Sequence, residues 1–396
     1  MGKALRFAVL FYILSFAPLL VVADSVKISG KAESGAGKLV RVIKLSDQIS
    51  KLEEVISTGT VNADGTFAFS VDITETQSTV LEIGLQRGEI YLQAGHQYKV
   101  NAKYIKEDYH VTLTYQENLE LEIQDSREPG LNTLIQDFNN MYNQFMLDNF
   151  STAYGMLNKA RVTELIDTVN EHYKDIYQPY FRAYIKYRIA LLELSGRVKS
   201  KEMLANQYFI GQPILYNNIE YMEFFNQYFS QLLITSSQTI SNQELLSLIN
   251  EELDYHGLEE KLKLFPFLAD KQFRELALLK SLKDLFYTTG FDRKNILKYL
   301  SQLARESNYP QNRAIALALT VSLTRFARGT KAPDIMMEDP VHKQITLDDL
   351  PEKPTYLIFY TSKNLSCIAE MDLLKDISKE FAGKMDIEVK ALAVRP

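Results

Sequence analysis

Thr355-Tyr356-Leu357-Ile358-Phe359-Tyr360-Thr361-Ser362-Lys363-Asn364-Leu365-Ser366-Cys367-Ile368-Ala369-Glu370-Met371 carries the clearest architectural signal in the C-terminal part of this chain. An apolar run at 356–360 gives way to small and polar residues, then to the single cysteine of the chain, then to apolar residues at helical spacing. That order reads strand, loop, helix. A cysteine opening a helix has the local chemistry of a reactive thiol, because unpaired backbone N–H groups and the helix dipole favour a thiolate. The competing reading is a small, half-buried residue in the first helical turn.

Outward from this stretch, Gly329-Thr330-Lys331-Ala332-Pro333-Asp334-Ile335 restarts the chain after a helical region, and Ile345-Thr346-Leu347-Asp348-Asp349-Leu350 reads as a strand followed by a short helix. Beyond the helix that contains Cys367, the alternation at 386–394 reads as the next, parallel strand. With one cysteine no intramolecular disulfide forms, so any redox role passes through a partner's thiol or a small molecule.

Residues 355–371 resemble the thioredoxin-like thiol:disulfide oxidoreductases of bacterial periplasms, whose signature is Phe-Trp-Ala-x-Trp-Cys-x-x-Cys-x-x-Glu. Laid on this chain without a gap, Phe359, Tyr360, Thr361 and Ser362 take the first four places, Cys367 the second cysteine and Glu370 the glutamate. Asn364 falls where the attacking cysteine stands. The 329–335 segment is similar to the family's Gly-x-x-Ala-Pro-Asp-Phe lead-in, and 345–350 to its next strand and short helix. The resemblance implies that Cys367 keeps the resolving position while Asn364 replaces the nucleophile, and an amide has no ionisable nucleophilic atom. It also implies an incomplete thioredoxin-like α/β module at 329–396, since nothing before Pro396 matches the family's cis-proline loop or closing strands. A peroxiredoxin reading is disfavoured, because no proline lies between Phe359 and Cys367 and Asn364 stands where those enzymes place a threonine. Lys363 is the one cation close to the thiol in sequence.

The first residues carry a different message. Lys3 and Arg6 precede an apolar run at 7–22, and Val21-Val22-Ala23 puts small residues ahead of a cut before Asp24, so 1–23 reads as a cleavable secretory signal peptide and the protein as periplasmic. No cysteine follows the run to take a lipid. The run is short for a bilayer span and no other stretch is long enough, so no integral membrane span is expected after cleavage. A chain of 396 residues with 46% hydrophobic content is long enough for two or three cored domains. Its formal charge of -6 comes from interspersed acids and bases with no basic stripe, which argues against nucleic acid as a partner.

Over 24–126 the period is near two, with turns at Asn62-Ala63-Asp64-Gly65 and Ala94-Gly95-His96, and the expectation is an antiparallel β-sandwich of seven or eight short strands, one of them at 109–114. The Asp-Gly-x-Phe turn at 64–67 resembles one in the small β domain that precedes thioredoxin domains in secreted proteins of Bacteroidetes. His96 and His110 read as solvated loop or strand residues. After Glu128-Pro129-Gly130 the period changes to about 3.6. Helices are expected at 131–147, 157–194, 201–208, 221–233, 242–255, 258–267, 271–287, 294–306 and 312–328, an all-α domain over 127–328. Tyr221, Phe224, Phe225 and Tyr228 form an aromatic stripe whose spacing is that of core packing rather than of a contact surface. His172 and His256 lack metal-binding spacing, and neither a metal nor a cofactor is expected.

These readings describe a three-part periplasmic protein derived from a thiol:disulfide oxidoreductase, redox-inactive, and acting as a binding or structural module toward a protein thiol or peptide partner. The alternative is a thiol-disulfide oxidoreductase in which Cys367 works alone.

Overall fold

The computed structural model describes residues 24–84, 86–105, 118–149, 158–237, 239–332, 337–338, 344–350, 352–360, 365–381 and 388–393. The signal-peptide reading at 1–23 and the strand expected at 109–114 therefore lie outside the described residues. Eight strands come first: β1 (Asp24–Lys31), β2 (Leu39–Leu45), β3 (Glu53–Thr60), β4 (Thr66–Ile73), β5 (Gln77–Ile83), β6 (Gln86–Leu92), β7 (Gln97–Lys103) and β8 (Glu120–Asp125). They form two four-stranded sheets, β4-β1-β7-β8 and β3-β2-β5-β6. Both sequence-read turns are present, with Gly65 and Gly95 at positive φ, a region that costs glycine nothing.

Alternation decides which side of each strand is buried. In β7, Tyr98, Val100 and Ala102 point inward while Gln97, Lys99, Asn101 and Lys103 are exposed. The inward residues of both sheets, among them Val26, Ile28, Val40, Val42, Phe67, Leu81 and Ile90, close into one apolar cluster. Direction is where the sequence reading needs correcting. The pairs are not all antiparallel, because β1 runs parallel to β7, with Ile28 opposite Tyr98. A tight hairpin forces neighbours antiparallel, but β1 and β7 are far apart in the chain and no hairpin constrains them. Strand β8 was also not expected, although Leu121 and Ile123 alternate with polar neighbours in Glu120-Leu121-Glu122-Ile123-Gln124-Asp125.

Eleven helices follow among the described residues: α1 (Leu131–Asn149), α2 (Lys159–His172), α3 (Pro179–Ser195), α4 (Lys201–Tyr208), α5 (Ile219–Tyr228), α6 (Leu232–Thr235), α7 (Asn242–Leu246), α8 (Tyr255–Leu262), α9 (Lys271–Phe286), α10 (Arg293–Glu306) and α11 (Pro310–Thr324). Capping explains most starts. Ser200, Asn218, Ser241, Asp254 and Asp270 each place a side-chain oxygen on a free N–H of the first turn. The single helix expected at 157–194 is in fact two, α2 and α3. Pro179 is the cause: it forces Gln178 into an extended conformation and then serves as the first residue of α3. Similarly the helix expected at 242–255 ends as a π-helical stretch, Ser247–Glu252, closed by Leu253 in the left-handed region.

Helix α9 organises this part of the molecule. Its residues from Phe273 to Leu282 are buried on every side, including Arg274, Glu275, Lys280 and Ser281, as expected of a central helix. Around it α3, α4, α5, α8, α10 and α11 contribute one large cluster that includes Phe224, Phe225, Leu258, Leu276, Leu279, Leu300 and Leu319.

One member of that cluster comes from the sheets. Ile49, 1% exposed, sits on the β2–β3 connection and packs among the helices. The loop is held in shape by Asp47, whose Oδ1 accepts from the backbone N–H of Ile49 at 2.7 Å and of Ser50 at 2.6 Å. Three successive loop carbonyls are then taken by three helices: Gln48 by Asn226 Nδ2 at 2.9 Å, Ile49 by Lys283 Nζ at 2.6 Å and Ser50 by Ser322 Oγ at 3.1 Å. A second junction lies at Tyr91 of β6, whose N–H and C=O both bond to Asn132 of α1 at 2.8 and 2.9 Å.

The last elements are β9 (Met337–Glu338) paired antiparallel with β10 (Gln344–Ile345), a 3-10 turn at Leu347–Asp349 capped by Thr346, then β11 (Thr355–Tyr360), α12 (Leu365–Phe381) and β12 (Glu388–Ala393). Strands β11 and β12 are parallel, with Ile358 opposite Ala391, and α12 connects them as a βαβ unit. No helix of the described residues is long and apolar enough to cross a membrane.

Candidate functional site

Strand β11 ends at Tyr360 and helix α12 opens at Leu365, so Cys367 is the third residue of the helix, in its first turn, and half-buried. The strand and the helix stand where 355–371 was read to place them. Glu370 lies one turn further along α12 and is exposed. Residues 361–364, Lys363 and Asn364 among them, lie outside the described residues, and in the chain Asn364 stands three residues ahead of the thiol.

The histidines divide differently from the expectation. His96 is not solvated: it is buried at 7% exposure, with Nδ1 2.8 Å from Asp125 Oδ1 and its ring stacked beside Tyr98. The β6–β7 turn carries it inward against β8, a pairing invisible before β8 is known. His110 lies outside the described residues. His172 is exposed and 3.2 Å from Asp137 Oδ2, which also accepts from Tyr173 Oη at 2.7 Å. Among the described residues no group of three His, Cys, Asp or Glu side chains is arranged to hold a metal ion.

The aromatic stripe of α5 is core. Tyr221, Phe224, Phe225 and Tyr228 are all buried, Phe209 stacks on Phe224 at 4.9 Å, and the Tyr228 hydroxyl donates to the Lys201 carbonyl at 3.0 Å. The Tyr228 hydroxyl is thus spent on the fold. Beside the stripe a buried carboxylate appears: Glu220, in the first turn of α5, pairs with Arg188 at 3.1 Å, and the Arg188 guanidinium lies 4.7 Å over the Tyr142 ring. Burial holds the Glu220 carboxyl above its ordinary range, and Arg188 only partly offsets this.

A cleft of about 490 Å³ opens where the Ile49 loop meets α5 and α9, its lining including Gln48, Lys51, Glu223, Asn226, Lys280 and Lys283. Sequence reasoning missed it. The local signal is the pair Lys280 and Lys283 toward the end of a helix whose residues from Phe273 to Leu282 are all buried. A scan of protein-family models finds no match to this chain, and a search of curated proteins finds none either.

Proposed function

We propose that this chain is a periplasmic protein derived from a thiol:disulfide oxidoreductase that no longer turns over dithiols and acts as a binding or structural module. The reading takes its C-terminal βαβ unit as part of a thioredoxin-like domain and its two packed sheets as the accompanying β-sandwich. The observation that carries it is the position of Cys367: it lies in the first turn of α12 immediately after β11, where a resolving thiol belongs, while the residue three places earlier is Asn364. A resolving thiol without an attacking partner completes no exchange cycle, because the mixed disulfide with substrate is made by the missing cysteine. The test is insulin reduction with dithiothreitol as the electron source. The native chain is expected to give the uncatalysed rate and Asn364→Cys a faster one. Turnover by the native chain at the rate of its Asn364→Cys variant sinks the reading.

A second reading, a single-cysteine oxidoreductase, draws on the same half-buried thiol in a helix's first turn. It requires Cys367 to alkylate with iodoacetamide at pH 7 markedly faster than N-acetylcysteine and to trap a partner as a mixed disulfide. An ordinary rate leaves the binding or structural reading.

A further inference from the structure

We propose that the cleft between the Ile49 loop and helices α5 and α9 binds a small hydroxylated oxyanion, such as an acidic or phosphorylated sugar, with its charged group held by Lys51 and Lys283. The site shares no residue with α12 or its neighbours, so it stands or falls independently of the redox reading.

The first argument is charge. Three lysines converge on one cleft and a single carboxylate, Glu223, lines it with them. Of the three, Lys280 is already engaged, with both oxygens of Asp284 at 2.6 Å. Lys283 gives one hydrogen bond to the Ile49 carbonyl at 2.6 Å, and an ammonium carries three donors. Burial, and then the nearby Lys280 and Lys51, push the Lys283 ammonium below its ordinary range, against the opposing pull of Asp284 and Asp47. An anion in the cleft relieves that repulsion.

The second argument is backbone. Lys51 has φ of 53°, in the left-handed region where glycine is the unstrained residue. Its N–H closes the loop on the Asp47 carbonyl at 3.1 Å, which fixes that turn and sends an exposed lysine side chain to the cleft wall.

The third is the character of the wall. All the lining side chains are polar, with no aromatic ring for a base or a hydrophobic ligand to stack on. Asn226 spends its Nδ2 on the Gln48 carbonyl at 2.9 Å, while its Oδ1 is buried with no hydrogen-bond partner. A buried carbonyl oxygen of this kind is satisfied by a donor, and a ligand hydroxyl beside the anionic group supplies one.

The experiment is isothermal calorimetry on the full chain with glucuronate and glucose 6-phosphate as the two anionic probes and glucose as the neutral one. The expected result is binding of at least one anionic probe, the tighter of the two naming the carboxylate or the phosphate class, with glucose giving no heat. Lys51→Gln should weaken that binding roughly tenfold, the worth of one charge-assisted hydrogen bond. Glu223→Gln should tighten it about threefold, since it removes a like charge at the protein surface. A damaged fold weakens both variants, so the opposite signs separate electrostatics from misfolding. Equal affinity for glucose, unchanged affinity in both charge variants, or no heat from either anionic probe at millimolar concentration overturns the proposal.

Discussion

Glu220 shows how a single side chain couples the fold to pH. It is 5% exposed, beside Arg188, and its carboxyl is held above the ordinary value of 4.5 chiefly by burial. The folded chain therefore binds the proton more tightly than the unfolded chain does. The stabilisation from this group is complete below about pH 4.5 and is lost as the pH rises through the elevated value. Glu220→Gln removes the titration. The unfolding free energy of the variant, measured relative to the native chain in urea, is expected to climb as the pH is raised from 4.5 to 7. A difference that stays flat over that range assigns the pH dependence elsewhere. At this scale the sequence was uneven as a guide. Cys367 could be placed because strand, loop and helix are all local to it. His96 could not, because its partner Asp125 comes from a strand that pairs only once the sheet forms.

Elements were legible where their signals are local. Asn218 and Ser200 cap the helices they precede, and the span of α4 coincides with the periodic run read for it. The miss at Pro179 has the same origin in reverse: apolar spacing continues from α2 into α3, and only backbone sterics break it. Strand packing gives a sharper test. Gly30 of β1 lies between β4 and β7, and a Cβ there would run into the Val100 carbonyl oxygen and the Phe67 ring. Gly59 of β3 is in the other sheet, and its nearest neighbour would be the Phe69 ring at 3.5 Å, an ordinary contact. Gly30→Ala should therefore destabilise the protein by about 2 kcal/mol or more, because a backbone oxygen must move, while Gly59→Ala stays within about 0.5 kcal/mol of the native chain. Chemical denaturation of the two variants side by side checks this. Equal effects would mean that the approach of β1 to β7 is not tight.

At the scale of the whole molecule, one fastening between the sheets and the helices is a loop. Ile49 enters the helical cluster, and the carbonyls of Gln48, Ile49 and Ser50 are gripped by Asn226, Lys283 and Ser322 from three different helices. Such a plug makes unfolding of the two parts cooperative, because pulling it out opens a cavity and strands three polar groups. Ile49→Asp puts a charge among the buried side chains of the cluster and should cost about 3 kcal/mol or more. The measurable outcome is a split transition, with far-UV circular dichroism of the helices and tyrosine fluorescence no longer coincident in urea. A single coincident transition, merely shifted, would mean that other contacts, such as Tyr91 with Asn132, carry the coupling. The proposed anion site sits at this same junction, and it was illegible for the same reason: Lys51, Asn226 and Lys283 are remote in the chain and meet only when the plug is seated.

Local sequence was enough for the change from strands to helices near Glu128-Pro129-Gly130, the turns at Gly65 and Gly95, the span of α4, the buried aromatic stripe of α5 and the position of Cys367 at the opening of a helix. These depend on forces acting over a few residues: steric limits on φ and ψ, side-chain competition for free N–H groups, and the match of apolar spacing to a helical or extended period. Tertiary structure alone decided the parallel pairing of β1 with β7, the burial of His96 against Asp125, the insertion of Ile49 among the helices and the cleft it creates. Each of these brings together residues from distant parts of the chain, and their energies arise only when the desolvated surfaces come into contact.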